Sequence, residues 1–132
     1  MASSSAASRG FDSEKCLQRL GEIFNMPPDQ KSIHAEQKPQ LQLLPPIFLT
    51  ATARCMELGA KKYGKWNWRE NKVECQTYIG AMLRHITQYQ SGEDVDPDSG
   101  QSHLAHVAAS VAILLDAEKH GTLIDNRPSP SK

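Results

Sequence analysis

Cysteine is scarce in this sequence. Three thiols, Cys16, Cys55 and Cys75, stand in 132 residues. Their number is odd and no two lie at metal-ligand spacing, which excludes a disulfide framework and a zinc-finger site. Buried thiols are the expectation. Net charge is also lacking, with Lys plus Arg at 15 and Asp plus Glu at 15. That balance argues against a general nucleic-acid or membrane-surface binder, which needs a basic excess. No apolar run approaches the roughly 18 residues of a membrane span. The Ala/Ser-rich start, Met1 to Gly10, has no apolar centre of the secretory kind, so a cytoplasmic protein is expected. Internal repeats and alternating strand patterns of useful length are missing too.

What is present is helical periodicity broken by prolines. Hydrophobic residues make up 39% and charged residues 23%, enough for one modest core. Residues 1–12 are small and polar and are expected to be a disordered tail. Ser13 can cap a short helix to about Asn25, with Leu17, Leu20 and Ile23/Phe24 on one face. Pro27, Pro28, Pro39, Pro45 and Pro46 then predict an extended connector over about 26–45. A helix follows from Pro46 to Tyr63–Gly64, with Ile47, Phe48, Ala51, Cys55, Met56 and Leu58 as its stripe. Another runs from about Lys72 to Gln90 on Tyr78, Ile79, Met82, Leu83, Ile86 and Tyr89. A third spans about Gln101 to His120, with Leu104, Val107, Ala108, Val111, Leu114 and Leu115 as its core face. Gly121 should stop it, leaving 122–132 as a loose tail. The expected fold is all-α: one domain over 13–121, three main helices in a bundle plus a short N-terminal helix.

Three features carry possible chemistry. Glu93, Asp94, Asp96 and Asp98 place four carboxylates within six residues. Such crowding is relieved by a hard divalent cation such as magnesium or manganese, or by basic partners. It is not an EF-hand, because Ser99 stands where the loop glycine belongs and Ala105 where the last glutamate belongs. A solvated acidic loop capping the next helix is the plain alternative. Next, His103 and His106 are three apart, on one helix face, just past that loop. Imidazole with carboxylate suits a transition metal or a proton-transfer role. Arg84-His85 lies on the preceding helix, and an antiparallel hairpin would bring His85 toward the last helix. Finally, Lys61, Lys62, Lys65 and Arg69 interleave with Tyr63, Trp66, Asn67 and Trp68. Cations suit phosphates, aromatic faces suit a nucleobase, and an amide can read a purine edge. A loop pinned to the core by its tryptophans is the alternative. A metal-bridged nucleotide is the simplest ligand that would use both loops.

Several blocks occur in one order: Leu43-Leu44-Pro45-Pro46, Gly59-Ala60-Lys61-Lys62-Tyr63-Gly64, Asn67-Trp68-Arg69, Arg84-His85, Gly92-Glu93-Asp94, Asp96-Pro97-Asp98-Ser99-Gly100 and His103-Leu104-x-His106. Over about residues 38–118 this order resembles the phage-type dATP/dGTP diphosphohydrolase domain, in particular its MazZ-like members from phages that replace adenine with 2-aminoadenine. The resemblance implies the MazG-like all-α nucleotide pyrophosphohydrolase fold. It implies hydrolysis of dATP and dGTP to monophosphate and pyrophosphate with two or more Mg2+ or Mn2+ ions, in a homodimer or homotetramer. MazG-like enzymes usually carry Glu-Glu-x-x-Glu on one helix and Glu-x-x-Asp on the next. Here the first is absent, and His103-x-x-His106 stands in the place of the second.

The expected metal ligands are therefore Glu93, Asp94, Asp96 and Asp98, with Glu57 as a further candidate. Catalytic roles fall to Glu93, Asp94, His103 and His106. Substrate contacts fall to Lys61, Lys62, Tyr63, Asn67, Trp68, Arg84 and His85. No stable nucleic-acid partner and no membrane are expected. Two other readings stay open. One is a triphosphohydrolase or 5′-nucleotidase of the helical His-Asp type, which is disfavoured because no His-Asp dipeptide occurs. The other is a non-catalytic module that binds a protein partner through Trp66, Trp68 and the proline-rich connector.

Overall fold

The computed structural model describes residues 10–129, so the outer parts of both tails lie outside the described residues. The chain forms two compact units, Met1–Leu41 and Gln42–Lys132. In the first, α1 (Ser13–Phe24) is capped by Asp12, whose carboxylate accepts the Lys15 N–H at 3.1 Å. Ser13 is thus the first helical residue and not the cap. The expected connector contains a second helix, α2 (Gln30–Ala35). Asp29 makes it possible, accepting from the Ser32 N–H at 3.1 Å and the Ser32 hydroxyl at 2.6 Å. Cys16 is exposed in this unit, whereas Cys55 and Cys75 are buried in the second.

The second unit is built on α3 (Pro46–Tyr63), α5 (Cys75–Gln90) and α6 (His103–His120), with a single turn of helix, α4 (Asn67–Glu70), after the aromatic loop. These are the three main helices that periodicity predicts. Two short strands were not legible: β1 (Val73–Glu74) and β2 (Leu123–Ile124) pair in parallel, Val73 opposite Leu123. Residues just past α6 are therefore held. Thr122 donates its hydroxyl to the Trp68 carbonyl at 2.6 Å, and Asn126 accepts the Gln76 N–H at 2.8 Å.

The core lies on small side chains of α6. Ala105 and Ala109 pack with Cys55 of α3, and Ala117 packs with Trp68 and Val73. Met56 lies against both clusters. The expected stripe of α6 holds only in part: Leu114 packs on the core, but Leu104, Val111 and Leu115 are 45%, 42% and 63% exposed, while Ala117 is fully buried. The reason is steric. Methyl side chains at i, i+4 and i+12 let α6 sit close to its neighbours, and Leu104, Val111 and Leu115 turn outward. Gly121, at φ +74°, ends α6 as expected.

Candidate functional site

The site forms where α5 ends and α6 begins. α5 and α6 are joined by the acidic loop, and this hairpin sets His85 beside His103 and His106. The loop holds itself together. Asp96 donates its N–H to Gln101 at 2.9 Å and its carbonyl accepts from Gly100 at 2.8 Å. The Asp94 carbonyl accepts the His103 N–H at 3.0 Å, and Val95 bridges to Ser102. Gly92 and Gly100 adopt positive φ (+96° and +72°), which only glycine takes without strain. Ser102 caps α6, accepting the Leu104 N–H at 3.2 Å.

Inside this frame the histidines interlock. His85 Nδ1 lies 2.8 Å from His103 Nδ1, and His103 Nε2 lies 2.8 Å from Glu93 Oε1. His103 is 2% exposed. The His85 and His106 rings stack parallel, 4.4 Å apart. His106 Nε2 is 2.7 Å from Ser99 Oγ and 3.6 Å from Asp96 Oδ2. The Ser99 oxygen also accepts the Gln101 N–H, so its hydroxyl proton is free to point at His106 Nε2.

One ligand atom from each of His85, Asp96 and His106 lies within 4.8 Å of the other two. The set could hold a divalent cation once one imidazole turns out of the stack, because the in-plane lone pairs of two parallel rings do not converge on one point. Two imidazoles and a carboxylate suit manganese, iron or zinc better than magnesium, which prefers oxygen alone. The electrostatics agree. Burial, then the neighbouring imidazoles, holds His85 below the usual histidine range. Burial does the same to His106 against the pull of Asp96, with His103 and Lys62 adding to it. The Asp98 N–H holds Asp96 below the usual carboxylate range. Neutral imidazoles beside a charged carboxylate are the ligand forms that a metal needs.

Two clefts flank the cluster. One, about 310 Å³, is lined by Met56, Lys62, Tyr63, Asn67, Trp68, Tyr78, Ser110 and Ile113, and also by Asp98, Ser99 and His106. The other, about 330 Å³, is lined by Arg84, His85, Gln88, Glu93, Asp96, Pro97, Asp98 and His103. Asp98 borders both. Burial pushes up the Cys55 thiol and the Tyr78 phenol, so both stay protonated against the first cleft.

Most of the residues expected at the site thus come together, in altered groupings. Lys62, Tyr63, Asn67 and Trp68 line the first cleft; Arg84 and His85 line the second. The four acids do not form one cradle. Glu93 is spent on His103, Asp96 joins the histidines, Asp98 stands between the clefts, and Asp94 lines neither. Glu57 pairs with Arg54 at 3.3 Å and, like Lys61, is not among the cleft residues.

Asp116 was missed. It accepts from Trp68 Nε1 at 2.6 Å and binds Arg69 through both oxygens at 2.7 and 3.0 Å. Arg69, with Trp68, holds its carboxyl down to about 2. Arg69 also stacks 4.1 Å over Trp66, a residue held at φ +60°. The aromatic loop is therefore set by α6. Sequence pattern could not show a pairing between residues 47 positions apart.

No helix among the described residues is long and apolar enough to cross a membrane. Residues 28–127 match the family described as "dATP/dGTP diphosphohydrolase, N-terminal". A protein of Salmonella phage PMBT28 named dATP/dGTP diphosphohydrolase is 32% identical over 92 residues, which cover 70% of this chain and 29% of that protein. The chain thus spans less than a third of that relative's length. No solved structure matches. With the family match extending over most of its length, the chain belongs to the dATP/dGTP diphosphohydrolase N-terminal family.

Proposed function

We propose that the chain hydrolyses dATP and dGTP to the deoxynucleoside monophosphate and pyrophosphate in a metal-dependent reaction. The carrying observation is the pair of clefts that meet at Asp98, one aromatic and the other lined by histidine, carboxylate and Arg84. About 310 Å³ lies at the small end of the roughly 300–1,000 Å³ of ligand clefts, which suits a base and sugar better than a whole triphosphate. The triphosphate then belongs in the second cleft.

Tyr63 and Asn67 contact the nucleoside, and Trp68 forms the cleft wall. His85, Asp96 and His106 would hold Mn2+, which when bound makes water a better nucleophile at neutral pH and offsets phosphate charge. Asp98 borders both clefts and pairs with no cation among the described residues, so its carboxylate takes the proton of the attacking water. Arg84 and Lys62 balance charge on the leaving pyrophosphate and the α-phosphate.

The phage source of the relative supports a place in phage purine-nucleotide metabolism. In a MazZ-like setting, loss of dATP would keep adenine out of the DNA and dGMP would feed 2-aminoadenine synthesis. Self-association is supported by the exposed Leu104, Val111 and Leu115 of α6. The chain should also work free of nucleic acid, in the cytoplasm of a host cell.

Chromatography of products from each of the eight common nucleoside triphosphates, with Mn2+, tests the reading. The expected products are dAMP or dGMP with pyrophosphate. Tripolyphosphate, free phosphate or no turnover would overturn it.

A further inference from the structure

We propose that Glu93 and His103 are positioning residues which fix His85 in its Nδ1–H tautomer, leaving the Nε2 lone pair for a divalent cation. The proposal rests on the reading of His85, Asp96 and His106 as a metal site.

Donors and acceptors along the chain Glu93–His103–His85 set the tautomer. A carboxylate only accepts hydrogen bonds, so at 2.8 Å from Glu93 the His103 Nε2 must carry the proton. At about pH 8, above the ordinary histidine value, an imidazole is neutral and has one N–H, and this one is then committed. His103 Nδ1 is left as an acceptor. It lies 2.8 Å from His85 Nδ1, and two bare nitrogens do not approach so closely without a proton between them. That proton belongs to His85. Its other nitrogen, Nε2, therefore carries the lone pair. His103 is 2% exposed, so water cannot replace either partner.

The charge on Glu93 selects this arrangement. A glutamine at 93 could offer an N–H to His103 Nε2 instead. His103 would then protonate Nδ1, and the proton of His85 would move to Nε2, where it blocks a cation. Outer partners of metal-binding histidines act in this way and typically change metal affinity by about 10–100-fold. Glu93, expected from the sequence as a metal ligand and catalytic group, and His103, expected as catalytic, work here through a third residue.

The test is long-range proton–nitrogen NMR of the histidines in the full chain without metal, beside Mn2+ titration followed by electron paramagnetic resonance. The expected wild-type spectrum shows His85 protonated at Nδ1 and bare at Nε2. Glu93→Gln, close in shape, should move the proton to Nε2 and weaken Mn2+ binding by about 10–100-fold. Glu93→Asp should restore both in part. Nε2 protonated in the wild type, or a tautomer unmoved by Glu93→Gln, would overturn the relay. Because the tautomer is read without metal, the two readings fail separately. The expected tautomer in a protein indifferent to Mn2+ supports the relay and overturns the metal site.

Discussion

At the scale of single residues, Asp96 and Asp116 carry the sharpest consequences. Among the described residues, Asp96 is the carboxylate grouped with both His85 and His106. Asp96→Asn keeps an acceptor for the Asp98 N–H but removes the charge. Pyrophosphate release should fall by more than about 100-fold, with the melting temperature nearly unchanged. Turnover kinetics beside a thermal melt would check this. Asp116 works differently, as an anchor for Trp68 and Arg69. Its carboxyl titrates near 2 when folded and near 3.8 when unfolded. A depressed acid stabilises the fold above its unfolded value, and the benefit fades as pH drops toward the folded one. The melting temperature should therefore decline between about pH 4 and pH 2. Asp116→Asn should flatten that part of the profile.

At the scale of elements, the loop from Gly92 to Gln101 and the α3–α6 contact matter most. Gly100 sits at φ +72°, and a Cβ there would meet nothing within 4 Å. The penalty for Gly100→Ala is thus conformational alone, about 1–2 kcal/mol. Chemical denaturation should show that loss, and Mn2+ binding should weaken with it because Gly100 donates to the Asp96 carbonyl. Ala109 packs on Cys55 and borders the first cleft. Ala109→Leu should cost about 1–3 kcal/mol by overpacking and raise KM for dGTP. The three long helices were legible because apolar spacing, Pro46 and Gly121 all point the same way. Which face of α6 is buried was not legible. Leucine and valine look like the core stripe, but the tight contacts are made by Ala105, Ala109 and Ala117. Two-residue strands have no period to read. α2 had a signal in Asp29 and Ser32, outweighed by the prolines around it.

At the scale of the whole molecule, the residue types of the site were readable and their grouping was not. The acidic run, the histidine pair and the aromatic loop all reach the two clefts. Only the α5–α6 hairpin shows that Asp96 belongs with His85 and His106 while Glu93 belongs with His103. Long-range pairing of that kind leaves no local trace in a sequence. The family match extends over residues 28–127, whereas the phage relative is far longer than this chain. The 132-residue chain by itself should release pyrophosphate from dATP and dGTP, and a pyrophosphate assay of that chain checks this.

The most direct measurement is anomalous diffraction at the manganese edge from crystals grown with Mn2+ and a non-hydrolysable dGTP analogue. A peak bounded by His85, Asp96 and His106, with the triphosphate beside Arg84 and the guanine against Tyr63, is the expected result. Manganese held by Asp94 or Glu57, with no density among the histidines, would contradict the proposed centre.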